Sequence, residues 1–411
     1  MARLVKDIQY YKFGFYGFLK NLRLFEPFLI LFFIDAGLSY LQIGILYGFR
    51  EIARNFMEIP AGVVADATGR RRSMITSFTA YIFSFLMFFF AGSYTLFFAA
   101  MFLFAVGDAF RTGTHKAMIF DYLKLKGRAE QKADYYGHTR AFSQFGSAIS
   151  SLLSAALVFF TGNYRYIFLI TVVPYIIDLF LLASYPAVLD GNTAKTKMNF
   201  GKRFKTVAGE FFTAVKNFRQ VKTMLSISWY SGYYKVVKDF IQPIIAGFAL
   251  AIPFLNQLSD EKKTAVTIGV VYFFIYLLTS WSSKNTKRIS ALFTTGEDAL
   301  NKLMTAGFIT GLAASAVYYF GFAGLSVLLM LPVFLIENVR KPIGVSVIAD
   351  HTSQGVLASV LSVQSQLQTL TVVIAAPVLG FFADRYGLGK GMIITTFLML
   401  LPAILLKIKS D

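Results

Sequence analysis

The chain has 411 residues, of which 56% are hydrophobic and 15% charged, and its formal net charge is +18. Soluble domains are much less apolar, so the composition excludes an ordinary soluble protein and indicates an integral membrane protein. Basic residues in such a protein contact anionic lipid headgroups and mark its cytoplasmic side, so we expect no nucleic-acid partner. The chain has no cysteine and three histidines that lie far apart, and we therefore predict no disulfide, metal or cofactor.

Apolar stretches long enough to cross a membrane, about 20 residues each, follow one another along the whole chain. The predicted spans in the first half are 13–35, 40–66, 73–91, 94–119, 138–160 and 164–185. Those in the second half are 223–247, 265–283, 300–320, 324–346, 357–383 and 389–407. The sequence thus predicts an all-α membrane protein with about twelve transmembrane helices.

A polar, lysine-rich segment separates these two sets of spans. We predict a six-helix half at 1–185, a cytoplasmic linker at 186–222 and a second six-helix half at 223–411. The Phe and Val spacing in the linker is compatible with an amphipathic helix on the inner membrane surface. The basic N-terminus, MARLVKDIQYYK, lacks the pattern of a cleaved signal peptide, so we expect it to be the mature cytoplasmic end.

Basic residues cluster in the loops of one side, at 70–72, at 124–128, in the linker and at 284–288. The positive-inside rule assigns this side to the cytoplasm, which also places both termini there. We expect the protein in a bacterial inner (plasma) membrane.

Two alignments relate the halves to each other. DAFRTGTHKAMIFD (108–121) aligns without gaps on ENVRKPIGVSVIAD (337–350), and RLFEP (23–27) aligns on DFIQP (239–243). Two repeated halves are typical of a transporter whose site lies between them near the midplane. Chance similarity among apolar helices is the alternative for either alignment alone.

A polar loop, GVVADATGRRRSM (62–74), follows the second span. Its glycines suit close helix packing and a tight turn, and its aspartate can accept hydrogen bonds from a helix N-terminus or an arginine. In this loop and along essentially its whole length, the chain resembles the major facilitator superfamily. The matching positions are Gly62, Asp66, Gly69, Arg70 and Arg71. The resemblance implies a cytoplasmic gate motif, from which Ala67 departs because the family has a basic residue there.

A second copy of the spacing, GFFADRYG (380–387), falls on the opposite face by the span count. We interpret this copy as a turn and not as a gate.

Ionisable residues at bilayer depth are costly and are candidates for function. Those that share helix faces at spacings of three and four are Arg23, Glu26, Arg54, Glu58, Asp108, Arg111, His115, Lys235, Lys238, Asp239, Glu337 and Arg340. Arg111 ranks first because the resembled family has an arginine in its fourth helix, although His115 replaces the glycine expected there. Glu26 and Asp239 come next because each lies near a proline that frees backbone carbonyls. Binding a charged substrate, carrying protons and merely neutralising one another all stay open as roles.

We interpret the chain as a secondary active transporter of a small organic solute, anionic or zwitterionic, that works by alternating access and is proton-coupled. No phosphate-binding loop for ATP and no catalytic cluster is visible, so we expect neither a primary pump nor an enzyme. The expected partners are the solute, protons or another coupling ion, and membrane lipids, with the protein a monomer. One alternative is a proton-driven multidrug or antibiotic efflux pump, because MIFDYLKLKGR resembles bacterial efflux members; the fifth span, however, lacks their Gly-Pro-x-x-Gly-Gly element. The other is a non-transporting receptor or scaffold.

Overall fold

The computed structural model describes residues 6–190, 209, 218–350, 352 and 357–408. The helices of the first half are α1 (Ile8–Lys20), α2 (Leu29–Asp35), α3 (Tyr40–Thr68), α4 (Arg70–Phe90), α5 (Tyr94–Arg111), α6 (Thr114–Leu125), α7 (Lys132–Thr161) and α8 (Arg165–Ala183). Those of the second half are α9 (Phe218–Leu250), α10 (Asp260–Lys284), α11 (Thr286–Ser290), α12 (Gly296–Tyr319), α13 (Ala323–Asp350), α14 (Leu357–Tyr386) and α15 (Leu388–Leu405). Single 3₁₀ turns lie at Glu26–Phe28, Ala129–Gln131, Ala187–Asp190 and Pro253–Leu255. These ranges contain no strand, which confirms the predicted all-α class.

Nine helical stretches among the described residues are long and apolar enough to cross a membrane. The other predicted spans fall on α1 with α2, on α3 and on α9. Helix α1 has only 13 residues, and α3 carries two arginines and two glutamates in its middle. The count of twelve spans and the cytoplasmic termini stay predictions.

Two predicted spans are interrupted. The first, 13–35, leaves the helix after Lys20, where Asn21 forms the C-cap, and becomes helical again at Leu29 after a 3₁₀ turn that contains Pro27. The fourth, 94–119, ends at Arg111 and resumes at Thr114. Gly113 lies between them with φ of +77°, a left-handed conformation that glycine adopts without strain.

The chain forms two compact units that do not follow sequence order alone. One unit comprises Met1–Pro27 and Ile52–Arg203, and the other comprises Phe28–Glu51 and Phe204–Asp411. In the first unit α4 packs against α5 and α8, and in the second α9 packs against α13 and α14. The predicted division at 185 and 222 stays a prediction. Most of the linker, including its possible amphipathic helix, lies outside the described residues.

Candidate functional site

A network of charged and aromatic side chains occupies the first unit. Asp108 of α5 accepts a hydrogen bond from the Arg111 guanidinium at 3.2 Å and pairs with the Arg23 guanidinium at 3.6 Å. The Tyr81 hydroxyl donates a short hydrogen bond to Asp108 and accepts one from Arg111 Nε at 3.1 Å. Arg23 Nε also donates to the Tyr175 hydroxyl at 3.2 Å. The structure therefore brings together three predicted candidates, Arg23, Asp108 and Arg111.

A cavity of about 340 Å³ lies beside this network, within the first unit. Its basic lining residues are Lys20, Arg111, His115, Lys116 and Arg140. The remaining described residues of the lining are aromatic, apolar or neutral and polar, with no aspartate or glutamate among them. The cavity wall is therefore cationic.

Of the cationic residues that line the cavity, one pairs with an acid. Arg111 pairs with Asp108, and the Lys116 ammonium lies 5.4 Å from the ring centroids of Phe120 and Tyr136. Among the side chains that the structure describes, Lys20, Lys116 and Arg140 form no ion pair with a carboxylate.

His115 forms part of the cavity wall just after the break between α5 and α6. Its ring stacks on Tyr16 with the centroids 3.8 Å apart, and Phe13 meets it edge-on at 5.4 Å. Its Nε2 lies 3.3 Å from the Tyr185 hydroxyl. Aromatic packing thus fixes the ring at the cavity surface.

The predicted candidates on α9 lie in the second unit and pair locally. Lys235 Nζ lies 2.9 Å from Glu51 Oε2, and the Arg50 guanidinium lies 3.3 Å from the other oxygen of Glu51. Lys238 Nζ lies 3.1 Å from Asp239 Oδ1. Glu51 and Asp239 are both buried, so these pairs satisfy charges that would otherwise be costly in the membrane.

Arg340 and Glu337 lie on α13, and Arg340 is fully buried. Its Nε donates to the Leu300 carbonyl at 3.1 Å, Nη1 to the Ile227 carbonyl at 3.3 Å and Nη2 to the Ser226 carbonyl at 2.9 Å. Arg340 therefore ties α13 to α9 and α12. Glu337 accepts a hydrogen bond from the Ser231 hydroxyl at 2.7 Å. Its other oxygen is buried without a hydrogen-bond partner among the described residues.

The loop motif after α3 is held by two acids of the same unit. Gly69 has φ of +96°, and a Cβ there would lie 3.0 Å from the Asp190 side chain. Arg70 forms a short ion pair with Asp121 at the end of α6. The Arg71 backbone N–H donates to Asp190 at 2.9 Å, and its guanidinium lies 3.5 Å from the same carboxylate. The two arginines thus fix the loop to the end of α6 and to the 3₁₀ turn Ala187–Asp190 that follows α8.

The other predicted residues lie on α3 and in the 3₁₀ turn after α1. Gly62 and Asp66 lie on the last turns of α3, where Asp66 is exposed. Arg54 and Glu58 pair one turn apart on α3, at 3.8 Å. Glu26 begins the 3₁₀ turn that follows the break after α1.

Sequence reasoning missed two charged residues of the first unit. Lys20 lines the cavity, and Asp178 lies on α8 with both carboxylate oxygens buried and without a hydrogen-bond partner among the described residues. Lys20 interacts electrostatically with Asp178. Lys20 lies three residues before Arg23 and Asp178 is a single charge in an apolar stretch, so a search for every ionisable residue within the predicted spans would have found both.

The chain is similar to known transporters over nearly its whole length. The sequence profile of the Major Facilitator Superfamily matches residues 18–349. The uncharacterized MFS-type transporter YxaM of Bacillus subtilis (strain 168) is 23% identical over 390 residues, which cover 93% of this chain and 90% of that protein. The structure of the nucleoside transporter NupG has a TM-score of 0.76 at 14% identity, covering 97% of this chain and 98% of its own. That of a D-xylose-proton symporter has a TM-score of 0.65 at 14% identity, covering 98% and 97%.

The apolar spans and the matching family profile define an integral membrane protein of the transporter class. Because the family profile covers most of its length, the chain belongs to the Major Facilitator Superfamily. This result confirms the family that the loop motif indicates.

Proposed function

We propose that this protein is a secondary active transporter that moves a small organic anion by alternating access, coupled to protons. The cationic cavity of the first unit is the observation that carries this proposal. Its volume of about 340 Å³ suits a small solute, because ligand pockets usually measure about 300–1,000 Å³. A wall with basic groups and no described acid favours an anion over a zwitterion or a cation, since a cleft lined by charge of one sign attracts ligands of the opposite sign.

Arg111 is the residue best placed to bind the solute. Asp108 and Tyr81 hold its guanidinium from one side, and the group also lines the cavity. A guanidinium held in this way can bind a carboxylate or phosphate through two parallel hydrogen bonds. Lys20, Lys116 and Arg140 add positive charge to the same cavity wall.

Asp178 is our candidate for the proton-carrying group. An ionised carboxylate in an apolar interior is costly without a partner, and the electrostatic neighbour of Asp178 on α1 is Lys20. When a solute anion binds the Lys20 ammonium, less of that positive charge compensates Asp178, which then takes up a proton. Anion and proton would therefore bind together, and their movement would be coupled.

The test of solute class is thermal unfolding of the purified protein with benzoate, citrate, a dipeptide, uridine or tetraphenylphosphonium, because binding to the native state raises apparent stability. We expect stabilisation by an organic anion, lost in Arg111→Gln and Lys20→Met. Lys302→Met is the matched control, because Lys302 is an exposed lysine of the second unit. Stabilisation by tetraphenylphosphonium alone would contradict the proposal and favour multidrug efflux.

The test of coupling uses proteoliposomes with the anion found in that screen. Asp178→Asn should retain exchange of labelled for unlabelled anion but lose accumulation driven by a pH gradient. Asp260→Asn is the control, since Asp260 is an exposed acid in the first turn of α10. Accumulation that survives in Asp178→Asn would exclude this residue as the proton carrier.

The same proposal includes a bacterial inner membrane, cytoplasmic termini and a monomer. The clustering of basic residues in loops on one side supports the orientation. Labelling of terminal tags in intact cells and in inverted vesicles tests it, and tags reached only in inverted vesicles are the expected result.

A further inference from the structure

The segment GFFADRYG (380–387) does more than turn the chain between α14 and α15. Gly387, with φ of +82°, makes the turn itself. One helical turn earlier, the two carboxylate oxygens of Asp384 accept hydrogen bonds from the backbone N–H groups of Tyr40, at 2.8 Å, and Leu41, at 2.9 Å. These are the first two residues of α3, whose N–H groups have no acceptor within their own helix. A carboxylate at this position also interacts favourably with the helix dipole.

The glycine of the same segment allows this contact. A Cβ at Gly380 would lie 2.6 Å from the Leu41 Cα, a distance that only glycine avoids without moving a backbone. One turn further along each helix, a Cβ at Gly44 of α3 would lie 3.0 Å from the Pro377 Cα. Helices α3 and α14 therefore meet backbone to backbone, and Asp384 closes the end of that contact.

A second polar contact of the same kind lies in the second unit. Gln242 of α9 is fully buried, and its side-chain oxygen accepts a hydrogen bond at 2.8 Å from the Ile30 N–H, in the first turn of α2. Side chains from the second half of the chain thus cap the N-termini of two helices from the first half, α2 and α3. The ion pair between Lys235 and Glu51 links the same segments further along α3.

We propose that Gly380 and Asp384 form a latch that closes the extracytoplasmic side of the transporter by binding the N-terminus of α3, and that releases α3 when this side opens. The inference rests on the proposed alternating-access function and on the orientation derived from charge. Asp384 is exposed, so water can replace both of its hydrogen bonds when they break. That exchange makes the contact reversible, unlike the buried bonds of Arg340.

Helix α3 carries the latch contact at its first residues and the motif Gly62–Gly69 at its other end. Its residues up to Glu51 belong to one compact unit and those from Ile52 to the other. Two occurrences of one spacing, Gly-x-x-x-Asp-x-x-Gly, therefore lie at opposite ends of the same helix.

The test measures how readily a single thiol near the latch reacts with a maleimide. The chain has no cysteine, so Phe240→Cys introduces the only thiol. Phe240 is buried, and its ring centroid lies 6.0 Å from that of Tyr40. In this background we expect Asp384→Asn and Gly380→Leu to raise the labelling rate roughly tenfold by shifting the population toward the open state. Asp384→Glu, which keeps the carboxylate, should retain more of the protection than Asp384→Asn.

Two controls make the result decisive. Asp260→Asn changes an exposed acid on the same predicted face and should leave the rate unchanged. Leu250→Cys, at the exposed end of α9, should label rapidly in every background. An unchanged labelling rate in Asp384→Asn, or equal rates in Asp384→Asn and Asp260→Asn, would overturn the latch. Labelling needs no solute, so failure of the latch and failure of the anion proposal are distinguishable.

Discussion

The two arginines that the repeat aligns, Arg111 and Arg340, should respond in opposite ways to the same substitutions. Arg340→Lys keeps a buried charge, but a lysine cannot reach three carbonyls on two helices. We therefore expect the free energy of unfolding to fall by about 3–5 kcal/mol, as for a buried charge deprived of its partners. Arg340→Met removes that charge and leaves carbonyls that still accept hydrogen bonds from N–H groups of their own helices. The free energy of unfolding should therefore fall by less, about 1–3 kcal/mol. For a chain of this size, about 2 °C per kcal/mol predicts a larger fall in melting temperature for lysine than for methionine.

At Arg111 methionine should be the more damaging substitution, because the property measured there is binding of the anion. Lysine retains a positive charge beside the cavity, while methionine removes it, so Arg111→Lys should keep more of the anion-induced stabilisation than Arg111→Met. Thermal unfolding of all four variants, with and without the anion, measures both effects. The reasoning is refuted if Arg340→Lys is as stable as the wild type, or if Arg340→Met unfolds normally yet loses the anion response.

Three further substitutions test local features of the first unit. Gly113→Ala should cost about 1–2 kcal/mol, because its φ is left-handed while nothing lies within 4 Å of the new Cβ; a more stable variant would contradict the helix break. Gly107→Ala places a Cβ 2.7 Å from the Tyr81 ring and should cost about 1–3 kcal/mol; it should also weaken the anion response, and an unchanged response would contradict the role of Tyr81. Asp121→Asn breaks a half-exposed pair with Arg70 and should cost at most about 1 kcal/mol. High salt should reduce that last difference, and a larger effect at high salt would contradict an ion pair.

The sequence predicts the helices well because length and hydropathy decide them. Most predicted spans match helices within a few residues. The break at Gly113 escaped prediction because an isolated glycine in an apolar helix is usually tolerated, and only the surrounding packing selects its left-handed conformation. The break after Lys20 escaped prediction because the residues on both sides of it are largely apolar, and a pattern based on hydropathy does not mark such a break.

The sequence predicted which types of residue form the candidate site, but it did not predict what each residue does. Spacing placed Arg111 and Arg340 in equivalent positions, but spacing carries no information on which neighbours supply acceptors. Three backbone carbonyls surround Arg340, whereas Arg111 meets one carboxylate, one hydroxyl and a cavity. Asp178 was missed because no other charged residue lies within four positions of it, and a search for pairs at three and four residues passes over single charges. Lys20 lies three residues before Arg23, so the same search should have included it.

The two units therefore use similar charged residues for different purposes. In the second unit, Lys235 pairs with Glu51 and Arg340 donates to three carbonyls, so these two cations have little capacity left to bind an anion. In the first unit, the lining cations exceed their acidic partners, and the surplus is available to an anion. If solute binding is concentrated in one unit, neutralising Lys235 should change stability more than affinity, while neutralising Lys20 should change affinity more than stability. Melting temperature and anion response measured on Lys235→Met and Lys20→Met give both quantities, and a loss of affinity in Lys235→Met alone would place the solute with the second unit.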